Sequence, residues 1–239
     1  MRPRRPKSKR GAALAIGGGI VVVAVAAFAL IYFVLFPTSS PKPFSLASTT
    51  AATPVSSGTR LAGRWDIASG SEAGYRVREK LGFLPAASDA VGRTSAITGG
   101  ATLTESGNVI TVRSASFVVA VNTLKSNESM RDQHIHTIGI QSDLYPKATF
   151  VLSSPLTLPA SALSGRVVRV SVAGVFEIHG ASRRLTVPLQ MRLSNSAIEA
   201  VGSLTFPWSE FKMTAPSVAG FVSVTNQATM EFDLQLQRS

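Results

Sequence analysis

The stretch from Arg131 to Phe150, RDQHIHTIGIQSDLYPKATF, gathers two of the three histidines, an Arg-Asp pair and a Tyr-Pro step into one short segment. These residue types could ligate a metal, activate a nucleophile or clasp a helix to its neighbours. Ligation is poorly served. His134 and His136 lie two positions apart, about 200° around a helix, His179 could join them only through tertiary folding, and neither a His-x3-His nor an HExxH spacing occurs. No metal site is therefore expected, and the histidines are expected to cap or hydrogen-bond. Asp132 could orient His134, but no Gly-x-Ser-x-Gly elbow supplies a nucleophile. No catalytic residue is assigned, and with no cysteine a thiolate nucleophile or ligand is excluded. The glycines of GAALAIGGG and ITGGAT do not open a soluble helix that could face a phosphate.

The elements around this stretch are strands. In VVRVSVAGVFEI the residues Val168, Val170, Val172, Gly174, Phe176 and Ile178 share one face, and RRLTVPLQMRL places Leu185, Val187, Leu189, Met191 and Leu193 likewise. HGAS between them predicts a hairpin with Gly180 at positive φ, and Pro188 predicts an edge, a bulge or an outward site lacking a ladder partner. TMEFDLQLQ alternates again, with Met230, Phe232, Leu234 and Leu236 inward and Glu231, Asp233, Gln235 and Gln237 outward. Val109 to Val121, carrying Phe117, is long enough for a bent strand. Adding ATFVLSS, AIEAVGSLTF, WDI, GYRVR and SAITGGATL gives about eight strands and an all-β unit, closed or sandwich. SNESMRDQHIHTI reads instead as a short helix, with Ser126 or Asn127 as N-cap, Glu128 in the first turn and Met130, His134 and Ile138 spaced along it.

The first ten residues carry Arg2, Arg4, Arg5, Lys7, Lys9 and Arg10, and Gly11 to Phe36 carries no charge. That run measures roughly 39 Å as a helix, against a hydrocarbon core of about 30 Å, which predicts a transmembrane helix over 11–36 with the basic tail 1–10 in the cytoplasm. It exceeds the apolar core of about 7–15 residues that a cleaved signal peptide uses, and either reading exports the remainder. Residues 37–62, rich in Ser, Thr, Pro and Ala, predict a linker, and 63–239 the folded domain in the cell envelope. The net charge of +11 resides mostly in the tail, leaving about +3 after Leu61, so no nucleic-acid partner is expected.

The inward faces carry Phe150, Phe176, Leu189, Met191, Met230 and Phe232, and FPWSEFKM adds Phe206, Trp208, Phe211 and Met213. These residues suit either the packed core of an interaction domain or the wall of a closed sheet that retains an elongated apolar ligand.

The motifs VNTLKSNESMRDQHI, YPKATF and VAGVFEIHGASRRLTVPL, with the order of elements from WDI to the final strand, resemble the YceI-like family of exported lipid-binding proteins over roughly Gly63 to Gln237. The resemblance implies a lipocalin-like antiparallel barrel around a long apolar tunnel, holding a polyisoprenoid, an isoprenoid quinone or a similar lipid. It implies a non-enzymatic binding or carrier role, with Phe117 and the ten apolar residues above toward the ligand and no cofactor beyond that lipid. On this reading Arg131, Asp132 and His134 tie the helix to the barrel, or Arg131 meets a lipid head group. A domain with a packed interior and an unrecognised hydrolase are the other readings. The segment before ITGG and the TIGIQSDL stretch depart from the family pattern, and the N-terminal anchor is an addition to it.

Overall fold

The computed structural model describes residues 40–46, 53–81, 87–218 and 222–239. The tail 1–10 and the uncharged run 11–36 lie outside them, and among the described residues no helix is long and apolar enough to cross a membrane.

Twelve strands follow in order: β1 (Gly63–Ile67), β2 (Glu72–Leu81), β3 (Ala87–Thr94), β4 (Ile97–Ser106), β5 (Val109–Ala120), β6 (Lys147–Leu152), β7 (Leu156–Thr157), β8 (Val168–Ile178), β9 (Ala181–Leu193), β10 (Ala197–Pro207), β11 (Ser217–Val218) and β12 (Val222–Arg238). Eight of them, β1, β4, β5, β6, β8, β9, β10 and β12, pair antiparallel in that order, and β12 returns to β1, so the sheet closes on itself. Closure satisfies the backbone groups that an open edge would leave unpaired. The β2–β3 hairpin lies along β12 above the short β1–β12 contact. One short helix, α1 (Ser129–His134), continues into a π-helical turn, Ile135–Gly139, and covers one end of the ring.

The expected alternation is realised in β8 and β9, where the inward residues are buried or half-buried and Arg169, Ser171, Thr186 and Pro188 are exposed. Their two-residue connection, His179–Gly180, has φ of 55° and 64°, the geometry that matches the right-handed twist of the flanking strands. Pro188 pairs with Ser171 of β8 and lies just beyond the β9–β10 ladder, which runs only from Leu189 to Leu193. Its missing N–H therefore costs no ladder bond on that side. β5 is bent as expected, with a register shift opposite Thr102 and Leu103.

Three features differ from the sequence reading. ASDAVGRT forms β3, whose small and charged residues show no clean alternation. The N-cap of α1 is Glu128, whose carboxylate accepts from the Met130 N–H, while Asp132 accepts from the Ser126 N–H. The third concerns the expected linker: Pro41–Leu46 runs as a strap over the outer face of the barrel, and the compact unit begins at Pro41.

The strap lies on a charged cluster. Glu231, expected to face water, is 3% exposed and receives hydrogen bonds from Arg76 (3.1 Å) and Arg93 (2.9 Å). Arg76 also donates to the Pro41 carbonyl (2.7 Å) and Arg93 to the Lys42 carbonyl (2.6 Å), while the Arg93 guanidinium sits 3.8 Å over the Phe44 ring. Each guanidinium thus bridges a buried carboxylate and a strap carbonyl. Further along, the Val55 N–H donates to the Leu163 carbonyl and the Ser56 N–H to the Asn195 side chain, fixing the chain at the barrel end opposite α1.

Glu231→Ala would leave two guanidiniums facing each other with their shared counter-charge gone. It is expected to lower stability by about 3 kcal/mol, measured by urea unfolding.

Candidate functional site

Inside the ring the apolar side chains separate into two clusters with a void between them. At one end Leu61, Trp65, Leu103, Ile110, Leu158, Leu193 and Leu236 pack solidly, and the Trp65 indole N–H donates to the Leu61 carbonyl at 2.9 Å. At the end beneath α1, Tyr75, Ile135, Ile140, Ile178, Phe206, Trp208, Phe211 and Met213 form the second plug. The Phe206 and Phe211 ring centroids are 4.5 Å apart.

The void holds about 200 Å³, and apart from Gly74, Thr149 and Glu231 only apolar residues line it. Phe117, Phe150, Phe176, Leu189, Met191, Met230 and Phe232 all contribute to its wall. All of these except Met191 are only half-buried although they point inward, because their free surface faces the void rather than another side chain. Phe150 leans across β8 at Gly174, where a Cβ would stand 2.2 Å from its Cζ, so only glycine lets the ring lie there.

The structure sets Phe206, Trp208, Phe211 and Met213 in the plug rather than on the cavity wall. Phe206 is the next-to-last residue of β10, still paired with Ala228, and the other three follow where the chain leaves the ladder and turns inward through Trp208–Phe211. The sequence could not separate the two groups, since both are apolar and inward. Smaller wall residues were not singled out there as ligand-facing, among them Ala115, Ala200, Val170 and Val172. They are what leaves room between the large rings.

The wall is unevenly bound together. β8 and β9 pair along their full length, from Val168↔Met191 to Ile178↔Ala181. Outside that hairpin, β8 meets β6 only between Gly174 and Glu177, and β9 meets β10 only between Leu189 and Leu193. The hairpin is therefore held at diagonally opposite corners.

The polar groups of the α1 region are engaged with one another. Arg131 donates to both carboxylate oxygens of Glu79 on β2 (2.9 and 3.3 Å) and to the Asn127 side chain (2.8 Å). Burial disfavours its charge, but the hydrogen bonds and field of Glu79 more than offset this, holding the guanidinium pKa above its ordinary value. Asp132 is buried and closes the turn before the helix. His134 hydrogen-bonds within its own helix, its Nδ1 pairing with the Met130 carbonyl (2.7 Å).

The histidine that ties elements together is His179. Its Nε2 meets Gln141 (2.7 Å), its Nδ1 meets the Phe211 carbonyl (3.2 Å), and its ring lies 4.3 Å from that of Tyr145. A histidine in the HG turn of a hairpin is a signal that could have found it. His136 pairs with Ser142, so the three imidazoles serve three separate places. Beneath Arg131, Tyr75 is buried, and burial pushes its ionisation upward. Its hydroxyl is the one buried side-chain polar atom without a hydrogen-bond partner among the described residues.

The YceI-like domain matches residues 65–236. A polyisoprenoid-binding domain from Saccharophagus degradans implicated in plant cell wall breakdown is similar in structure, with a TM-score of 0.55 and 17% identity over 74% of this chain and 99% of that one. BcnA of Burkholderia cenocepacia gives a TM-score of 0.53 and 18% identity over 71% and 99%. No curated protein matches the chain.

The Arg131–Glu79 pair is the tie from α1 to β2. Arg131→Ala is expected to cost about 2–3 kcal/mol in urea unfolding, and Glu79→Ala added to it should cost little more, because the partner is already lost.

Proposed function

The chain belongs to the YceI-like family, and on that footing we propose that it binds the apolar chain of an isoprenoid-type lipid inside the barrel, without chemical turnover. The carrying observation is the void of about 200 Å³ with an apolar wall. A packed interaction domain would fill it, since leaving contacts unmade costs roughly 24 cal/mol per Å³ of cavity. The polyisoprenoid-binding relative with the same fold adds to this reading.

The void's size sets a condition. An apolar cavity of about 150 Å³ accepts benzene, whereas pockets for larger ligands run to roughly 300–1,000 Å³. One branched five-carbon unit fits the barrel as it stands, and a long chain requires its wall to part. The β8–β9 hairpin, which carries Val170, Val172, Phe176, Val187, Leu189 and Met191, is joined to its neighbours only over short ladders, Gly174–Glu177 with β6 and Leu189–Leu193 with β10.

The reading extends to location. The uncharged run 11–36 after a basic tail supports a bilayer-spanning anchor with the barrel outside the cytoplasm. There it would sit beside a supply of membrane lipid.

Mass spectrometry of the organic extract from the purified chain, against an unrelated exported protein handled identically, tests the proposal. A stoichiometric isoprenoid found only with this chain is expected. Absence of any lipid, together with failure to take up added polyisoprenoids, would overturn it. Ala115→Phe narrows the void and should weaken uptake roughly tenfold, equivalent to about 1.4 kcal/mol. Phe211→Leu in the plug should instead cost about 1 kcal/mol of stability and leave uptake unchanged.

A further inference from the structure

Four large apolar side chains stand in water at the α1 end of the barrel. Met130 of α1 is 64% exposed and Leu144 73%, and Ile138 of the π-helical turn and Tyr145 are exposed beside them. At the opposite end Val109, the first residue of β5, is exposed, and Val151 is exposed on the β6 wall between the two ends. Met130 and Ile138 lie on the helix side that points away from the plug, where Asp132, Ile135 and Gly139 are buried instead. A monomeric surface seldom gathers such residues without a partner.

The strap indicates which partner. Pro41 is fixed at the level of Arg76 on β2, and Val55 and Ser56 are fixed at the far end. The link from Phe36 to Pro41 spans at most about 17 Å. Along β2 from Arg76 to Leu81, toward the α1 end, the distance is also about 17 Å. Along β12 from Thr229, the partner of Arg76, to Arg238 at the other end it is about 30 Å. A bilayer entered at Phe36 is within reach of the α1 end and out of reach of the other.

We propose that the α1 end docks on the bilayer, with Met130, Ile138, Leu144 and Tyr145 entering the interface. This rests on the reading of 11–36 as the membrane anchor. Tyrosine with an apolar ring and a polar tip suits that depth, and the plug above the lipid cavity then faces the membrane. Lys80, Lys125, Lys147, Arg183, Arg184 and Lys212 share this end with Glu128, Asp143, Glu177 and Glu210, a small positive excess. Docking is driven by apolar insertion and survives high salt in neutral lipid.

The absence of cysteine allows single-site labelling of the full chain. Leu144→Cys and Val109→Cys, each carrying an environment-sensitive fluorophore, would be reconstituted separately into phosphatidylcholine vesicles containing nitroxide-bearing phospholipid. The Leu144 probe is expected to shift to the blue and to be quenched by the nitroxide lipid, with the Val109 probe unaffected, and Ile138→Asp should reduce the shift. A Leu144 probe as unquenched as the Val109 probe, in a chain that resists alkaline carbonate extraction, would overturn docking and leave the anchor standing. Extraction by carbonate would overturn the anchor and docking with it. A blue shift without nitroxide quenching that grows with the protein-to-lipid ratio would identify a second copy as the partner and overturn the proposal.

Discussion

β12 carries the closure of the ring. Along Val222–Arg238 it pairs with β10 on one side and with β2 and then β1 on the other, so one strand joins the last element of the chain to the first two. Its alternation fixes what lies within and without. Met230, Phe232 and Leu234 point to the void, and Glu231 between them must point outward. A one-residue slip would bury the carboxylate among the phenylalanines and expose the wall. The Arg76–Glu231–Arg93 cluster opposes such a slip, because both arginines are held in register with Thr229 and Gly74 by the β2 and β3 ladders. The strap completes this arrangement from outside, the Pro41 carbonyl accepting from Arg76 and the Lys42 carbonyl from Arg93.

Much of this architecture was legible because one side of the ring is wet. Where alternate residues face water, as in β8 and β9, period-two patterning identifies both the strand and its inner face. β3 escaped because Ser88, Asp89 and Ala90 give no amphipathic signal, its place being set by pairing with β2 and by the contact of Arg93 with Lys125. The strap escaped for another reason. Ser, Thr and Pro supply little apolar surface, and its attachment relies on carbonyl oxygens, which every sequence has. The acceptors were visible nowhere in the local pattern, and the donors, Arg76 and Arg93, lie far along the chain.

The interior shows the same limit at finer grain. Seven of the eleven apolar residues singled out from the sequence stand on the cavity wall and four in the plug, and composition does not distinguish them. The difference comes from chain path. Residues in the middle of the ladder are held apart by the ring's circumference, whereas Trp208, Phe211 and Met213 follow the strand end and fold in against Phe206, which sits near the end of the β10 ladder. Among the polar residues, Arg131 ties the helix to β2, Asp132 closes the turn before the helix and His134 turns back on its own helix, while His179 bridges Gln141 and Phe211.

How a barrel with so small a void could accept a long lipid is a question of magnitudes. Transferring a five-carbon isoprene unit from water to an apolar interior is worth about 4 kcal/mol at roughly 0.8 kcal/mol per carbon. Parting the β9–β10 ladder between Leu189 and Leu193 costs on the order of 1 kcal/mol net for each hydrogen bond lost. One or two units inserted between the strands therefore offset the whole seam, and every further unit is gain until the lining is used. A short ligand that fits the existing void gains only its own transfer energy and leaves the seam shut. Such a wall discriminates by length: on the proposed reading, the β8–β9 hairpin favours a thin, repeating hydrocarbon chain over a compact apolar molecule, with no polar group needed inside to make the choice.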